Sequence, residues 1–150
     1  MSLKSQIDGD IKAAMLAKDK DKLRALRSIK SMILLAETEK GGGDGLTADA
    51  ELKLLMKAAK QRKDSLDLFN EQGREDLAAI EQQEYDVISE YLPKQFSEEE
   101  LKDALIRIIA DTGASGPQDM GKVMGAATKT LAGKADGKAI SAMVKTLLTA

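Results

Sequence analysis

The residues that most resemble a chemical motif are three Gly-Lys dipeptides near the C-terminal end. They are Gly121-Lys122, Gly133-Lys134 and Gly137-Lys138. The last two lie in the stretch GKADGKAIS, which resembles a nucleotide-binding loop. Such a loop needs four residues between its first glycine and its Gly-Lys, followed by Ser or Thr. Here three residues separate Gly133 from Gly137, and Ala139 follows Lys138. The stretch is therefore not predicted to bind ATP.

The residue types that this sequence lacks exclude much of catalytic chemistry. The chain contains no histidine and no cysteine. A Ser-His-Asp triad, a Cys-His pair and a zinc site of thiolates or imidazoles are therefore impossible within it. Carboxylates and lysines remain, but the sequence shows no cleft that would shift their ionisation. We predict no catalytic residue, no metal site and no cofactor.

Lysines are concentrated at the C-terminal end, although the formal net charge of the chain is -2. Residues 112–150 hold five lysines against two aspartates, which leaves a charge of +3. Cations clustered in this way favour contact with phosphates. The predicted phosphate-binding residues are Lys122, Lys129, Lys134 and Lys138. The alternative is that these lysines only keep the surface soluble.

The positions of two of these lysines favour a phosphate ligand. Lys122 and Lys138 fall in the first turns of predicted helices, where the helix dipole disfavours a cation by roughly 0.3–1 kcal/mol. A bound phosphate would reverse that penalty. The basic end contains no Phe, Tyr or Trp on which single-stranded bases could stack. The pattern therefore indicates recognition of the backbone of a folded RNA.

The glycines of this region have structural interpretations of their own. Gly121 and Gly125 are four residues apart, a spacing that lets a neighbouring helix pack closely. Gly133 is predicted to end one helix, and Gly137 lies in the turn before the next. These roles do not require a ligand.

The part of the chain before Pro93 predicts four helices. The first ends near Lys18, and the second extends to about Lys40. The glycine-rich stretch at residues 41–45 then breaks the chain. A third helix follows, with Thr47 as its N-cap and Gly73 as its end, and a fourth spans residues 74–91. Glu84 lies within the apolar stripe of this fourth helix, so we expect it to pair with a basic neighbour such as Arg74 or Lys63.

The part after Pro93 predicts three shorter helices. Ser97 and Glu100 form a capping box that starts the first of them. Pro117 suits the first turn of the second, and Asp136 is a suitable N-cap for the third. We therefore predict an all-α protein with a helical N-terminal domain, residues 1–94, that forms a bundle or stalk. A small three-helix tail domain, residues 95–150, follows it.

The sequence also predicts where the protein works. No apolar run reaches the ~20 residues that a membrane span needs, and the N-terminus lacks the pattern of a signal peptide. The absence of cysteine agrees with a reducing compartment. We expect a cytoplasmic protein that does not bind membranes.

The stretch DMGKVMGAATKTLAGKADGKAISAMVKTLL, at residues 119–148, resembles the C-terminal tail of the GatB/YqeY family. The stretches LRALRSIKSMI and GREDLAAIEQQEYDVISEYLPKQFSEEEL extend the resemblance over nearly the whole chain. The three Gly-Lys pairs belong to the tail motif. The resemblance implies an all-helical N-terminal part followed by a small helical tail, found either as a free-standing YqeY-like protein or within a larger subunit.

That larger subunit is the B subunit of the glutamyl-tRNA(Gln) and aspartyl-tRNA(Asn) amidotransferase. The resemblance implies that the tail helps to hold tRNA, and it would assign carbon-nitrogen ligase activity with glutamine as the amide donor. The 150 residues leave no room for the upstream kinase domain, so we expect a tRNA-binding accessory module without activity of its own. The alternative is a helical protein-interaction module that docks on an amidotransferase or another complex.

Overall fold

The computed structural model describes residues 2–39 and 45–149, and within these the chain is helical and contains no strand. The predicted all-α fold is confirmed. The helices are α1 (Leu3–Leu16), α2 (Lys20–Glu39), α3 (Ala48–Glu71), α4 (Glu75–Ser89), α5 (Glu98–Thr112), α6 (Met120–Thr130) and α7 (Gly137–Thr149). The predicted glycine-rich break lies outside the described residues except for Gly45. None of the described helices combines the length and the apolar character needed to cross a membrane.

The chain divides into two compact units. Unit 1 is Met1–Leu92 and unit 2 is Pro93–Ala150. This division falls two residues before the boundary that the sequence analysis places between residues 94 and 95.

Unit 1 consists of the hairpins α1–α2 and α3–α4, which share one apolar core. All four helices contribute residues at spacings of three and four, so each presents one apolar face to the others. The buried core residues are Leu3, Ile7, Ala14, Ala25, Leu26, Ile29, Ile33, Leu55, Ala58, Ala59, Val87 and Ile88. On α3 the core ends at Ala59, although the helix continues to Glu71.

Local sequence determines where these helices begin and end. The hydroxyl of Thr47 accepts a hydrogen bond from the Ala50 N–H at 3.1 Å, so Thr47 is the N-cap of α3 as predicted. Gly73 has φ +70°, a conformation that suits glycine and turns the chain from α3 into α4. At the end of α1, Lys18 adopts φ 58°, and α2 begins two residues later.

A layer of charged side chains lies at the edge of the unit 1 core. Glu84 of α4 is 8% exposed, and its carboxylate lies 3.0 Å from the guanidinium of Arg62 and 3.8 Å from that of Arg24. Arg62 also contacts Glu81 at 3.2 Å. A basic partner for Glu84 was expected, but the expected residue Arg74 bonds to Asp76 instead. The partners belong to α2 and α3, which face Glu84 once the hairpins pack.

Unit 2 is a bundle of α5, α6 and α7 around its own core. The buried residues are Leu101, Leu105, Ile108, Val123, Ala127, Leu131, Ile140, Val144 and Leu148. Ser97 and Glu100 form the predicted capping box at the start of α5. Pro117 differs from its prediction, because it begins a short 3-10 helix, Pro117–Asp119, and α6 starts only at Met120.

Candidate nucleic-acid interface

Helix α6 places two lysines on its outward side. Val123 and Ala127 are completely buried in unit 2, whereas Lys122 and Lys129 are exposed. Seven residues make almost two full turns of an α-helix, so the two lysines lie on one face, about 10 Å apart along the axis. Gly125 lies between them on that face and is also exposed. This face is therefore cationic at both ends and has no side chain at Gly125.

Helix α7 repeats this arrangement. Lys138 and Lys145 are exposed and again seven residues apart, whereas Ile140 and Val144 point into the core. Lys145 was not among the predicted phosphate-binding residues. The shared spacing of seven residues in the pairs 122/129 and 138/145 is the sequence signal that could have identified it.

Lys134 is positioned differently from the other four lysines. It is half-buried, and its ammonium nitrogen lies 5.6 Å from the centre of the Phe96 ring. The Phe96 N–H donates to the Lys134 carbonyl at 2.9 Å, and the Gln95 side-chain amide donates to the Gly133 carbonyl at 2.5 Å. Hydrogen bonds from residues 95 and 96 therefore stabilise the turn between α6 and α7. The Lys134 side chain packs against the Phe96 ring in this turn.

The outward lysines have no acidic partner in the described part of the chain. Lys122, Lys129, Lys138 and Lys145 make no ion pair with any residue that the structure describes. In unit 1, Lys30 pairs with Asp8 at 2.6 Å, and Lys4 and Lys22 are paired too. Other exposed lysines there, such as Lys12 and Lys57, likewise make no ion pair with a described residue. Unpaired ammonium groups keep their full charge available to an external anion.

The N-termini of α6 and α7 are less open to phosphate than the sequence indicates. The carboxylate of Asp136 accepts a hydrogen bond from the Ala139 N–H at 2.6 Å, so an anion already caps α7. The 3-10 helix ending at Asp119 leads directly into α6. The lysine side chains, rather than the helix ends, are the groups left for a phosphate.

The glycines separate into two kinds. Gly133 is buried with φ +76°, which suits its predicted role of ending a helix. Gly121 and Gly125 are exposed, and a Cβ added at either would meet no described atom within 4 Å. No helix of the described chain packs closely against either glycine, so close packing there stays a prediction. Gly137 is likewise open and lacks a positive φ, so the turn does not require glycine there.

Unit 1 contains a hydrogen bond between a tyrosine and an aspartate that changes the pKa of the tyrosine. The Tyr91 hydroxyl donates a hydrogen bond to the Asp10 carboxylate. Burial, and then this bond and the charge of Asp10, raise the pKa of Tyr91 above that of a free tyrosine.

Within residues 2–39 and 45–149, no three acidic side chains are grouped so as to hold a metal ion.

The fold and the lysine faces define a two-unit helical protein with a basic surface on its C-terminal unit. Residues 4–148 match the family described as Yqey-like protein, so the chain belongs to that family. This confirms the YqeY part of the resemblance. The GatB part remains a prediction.

Curated relatives from three organisms share the name "Altered inheritance of mitochondria protein 41, mitochondrial". The protein from Clavispora lusitaniae is 36% identical over 117 residues, covering 76% of this chain and 66% of its own. One from Saccharomyces cerevisiae (strain YJM789) is 40% identical over 90 residues, covering 59% of this chain and 47% of its own. One from Pyrenophora tritici-repentis is 29% identical over 149 residues, covering 97% and 80%. The chain thus spans about half to two thirds of the first two relatives.

The comparisons correct the predicted location. A cytoplasmic protein was expected from the N-terminal sequence, but the relatives from all three organisms are named as mitochondrial proteins. The cytoplasmic prediction is therefore wrong.

Proposed function

We propose that this protein is a non-catalytic accessory module that binds the phosphate backbone of a structured RNA, with tRNA as its substrate class. One observation carries the proposal: two helices of unit 2 each present a pair of exposed lysines, seven residues apart, with no ion-pair partner in the described chain. The contact residues are Lys122 and Lys129 on α6 and Lys138 and Lys145 on α7. Lys134 has a structural role beside Phe96.

The distribution of charge supports this assignment. The acidic residues of unit 2 concentrate on α5, whose first turn holds Glu98, Glu99 and Glu100. Five of the seven lysines of unit 2 lie instead on α6, α7 and the turn between them; the other two are Lys94 and Lys102. A unit polarised in this way orients itself toward a polyanion over a distance set by the Debye length, about 10 Å at 0.1 M salt. Lysine side chains contact phosphates, which position a protein on a nucleic acid without reading its base sequence.

The resemblance to the tail of the amidotransferase B subunit supports tRNA as the RNA. In that assignment the tail holds tRNA, while a separate catalytic part transfers the amide. The residues of this chain are therefore assigned to tRNA binding and not to carbon-nitrogen bond formation. The protein alone is expected neither to hydrolyse ATP nor to release ammonia from glutamine.

Binding of fluorescently labelled tRNA, followed by anisotropy, tests the proposal. Replacing Lys122, Lys129, Lys138 and Lys145 with glutamine should lower the affinity at least tenfold. A matched variant removes four exposed lysines of unit 1, Lys12, Lys20, Lys57 and Lys60, and should bind as the unmodified protein does. Equal losses in both variants would mean that only net charge matters, which would contradict a specific lysine surface.

A further inference from the structure

The outer part of the α3–α4 hairpin carries apolar side chains that neither core uses. We name residues 64–80 the α3–α4 arm. Its large apolar residues are Leu66, Leu68, Phe69, Leu77 and Ile80, and none of them belongs to the core of unit 1 or of unit 2. The layer of Arg62, Glu81 and Glu84 lies between the arm and the last core residue of α3, Ala59.

Two of these apolar side chains are open to solvent. Leu68 is 50% exposed and Ile80 is 38% exposed, while Leu66, Phe69 and Leu77 are half-buried. Leu68 lies near the end of α3 and Ile80 near the start of α4, so both are at the same end of the antiparallel hairpin. Large apolar groups that are exposed at the same end of a hairpin, among polar residues, suit a surface that another molecule covers.

The rim of the arm is strongly acidic. Between residues 64 and 80 the acidic side chains are Asp64, Asp67, Glu71, Glu75 and Asp76, and all are exposed. Arg74 is the one basic residue in this range, and its guanidinium is bonded to Asp76 at 3.1 Å. The arm therefore has a negative surface that repels RNA and anionic lipid.

We propose that the α3–α4 arm is a docking surface for a basic amphipathic helix of a partner protein. The apolar face of that helix would cover Leu68 and Ile80, and its lysines or arginines would face the acidic rim. Complementary charge speeds encounter, and the apolar anchors supply most of the affinity. The small exposed area predicts a weak, transient complex. The arm belongs to unit 1 and contains none of the lysines assigned to RNA, so the inference does not depend on RNA binding.

A synthetic peptide provides the direct test. The probe is a helical peptide of about 18 residues with leucines at i, i+3, i+4 and i+7 and lysines elsewhere, and its control has glutamate in place of each lysine. Backbone amide shifts of the full chain are recorded as each peptide is added. We expect micromolar binding of the basic peptide with shifts confined to residues 64–80, and no binding of the acidic peptide. Absence of binding, or shifts centred elsewhere, would overturn the proposal.

Variants separate the apolar and the electrostatic contributions. Leu68→Gln with Ile80→Gln should weaken peptide binding at least tenfold, and Asp67→Asn with Glu71→Gln should reduce its salt dependence. Leu35→Gln is the matched control, because Leu35 is 62% exposed on α2, outside the arm. An equal loss in the Leu35 variant would contradict the assignment. A dimer in sedimentation equilibrium that Leu68→Gln abolishes would instead identify a second copy as the occupant.

Discussion

The carboxylate of Glu84 on α4 lies 3.0 Å from the guanidinium of Arg62 on α3, at the edge of the unit 1 core. The Glu84 side chain is 11% exposed, so its carboxylate is mostly shielded from water and is surrounded by the guanidinium groups of Arg62 and Arg24. Removing Arg62 would leave Glu84 with only the more distant guanidinium of Arg24, at 3.8 Å, and a mostly buried charge that loses its nearest partner destabilises the fold. The pair therefore ties the two helices of the hairpin together at the base of the α3–α4 arm.

Arg62→Ala should lower the free energy of unfolding by about 1.5–3 kcal/mol, the range for hydrogen bonds to charged groups. Urea unfolding followed by circular dichroism measures this change. Arg74→Ala is the control, since Arg74 pairs with Asp76 on the exposed surface and its loss should leave the unfolding midpoint unchanged. Equal effects of the two substitutions on the free energy of unfolding would show that the burial of Glu84 does not strengthen its ion pair.

The bond between Tyr91 and Asp10 predicts a loss of stability at alkaline pH. The folded chain raises the pKa of Tyr91, so the unfolded chain releases this proton first as the pH increases. The contribution is complete below the ordinary tyrosine pKa of about 10 and is lost as the pH rises through the higher value of the folded state. Tyr91→Phe should flatten the decline of unfolding free energy above pH ~10. An unchanged decline in the Tyr91→Phe variant would refute the assignment.

The open position of Gly125 predicts a gain in stability on substitution. A methyl group there meets no described atom within 4 Å, and alanine favours a helix over glycine by about 0.8–1.0 kcal/mol. Gly125→Ala should therefore raise the thermal midpoint without weakening RNA binding. Gly125→Leu should also fold but bind tRNA more weakly, because a branched side chain then stands between Lys122 and Lys129. If the leucine variant bound normally, RNA would not approach this face.

The capping box of α5 predicts that removal of the Ser97 hydroxyl lowers the stability of the protein. The Ser97 side chain accepts a hydrogen bond from the Glu100 N–H at 3.1 Å. Ser97→Ala should destabilise the protein by about 1 kcal/mol, and Ser97→Asp should restore most of that loss. Thermal unfolding of the two variants measures the difference. If Ser97→Asp were no more stable than Ser97→Ala, the Ser97 hydroxyl would not act by capping α5.

Local sequence signals predicted much of the fold. The Thr47 cap and the Ser97 capping box depend on neighbouring residues, and the structure has both where expected. The start of α6 is the exception, because it lies three residues after Pro117. The partners of Glu84 could not be found in this way. Arg62 and Arg24 are 22 and 60 residues away in sequence, and they meet Glu84 only because α2, α3 and α4 pack together.

The candidate site shows the same limit. The sequence could show that Lys122, Lys129 and Lys138 belong to a basic region, and their seven-residue spacing could have added Lys145. It could not show that Phe96 packs near Lys134, because that contact joins the start of unit 2 to the turn between its last two helices. Nor could it show that Gly121 and Gly125 face outward, because glycines four apart fit a packed face and an open one equally well.

The salt dependence of tRNA binding tests the central proposal most directly. Each lysine that contacts a phosphate adds about 0.7–0.9 to the slope of log affinity against log salt concentration, so four contacts give a slope of about -3. Replacing Lys122, Lys129, Lys138 and Lys145 with glutamine should remove most of this slope and most of the affinity. The variant lacking Lys12, Lys20, Lys57 and Lys60 should keep both. An unchanged slope and affinity in the unit 2 variant would contradict the assignment of this surface to RNA.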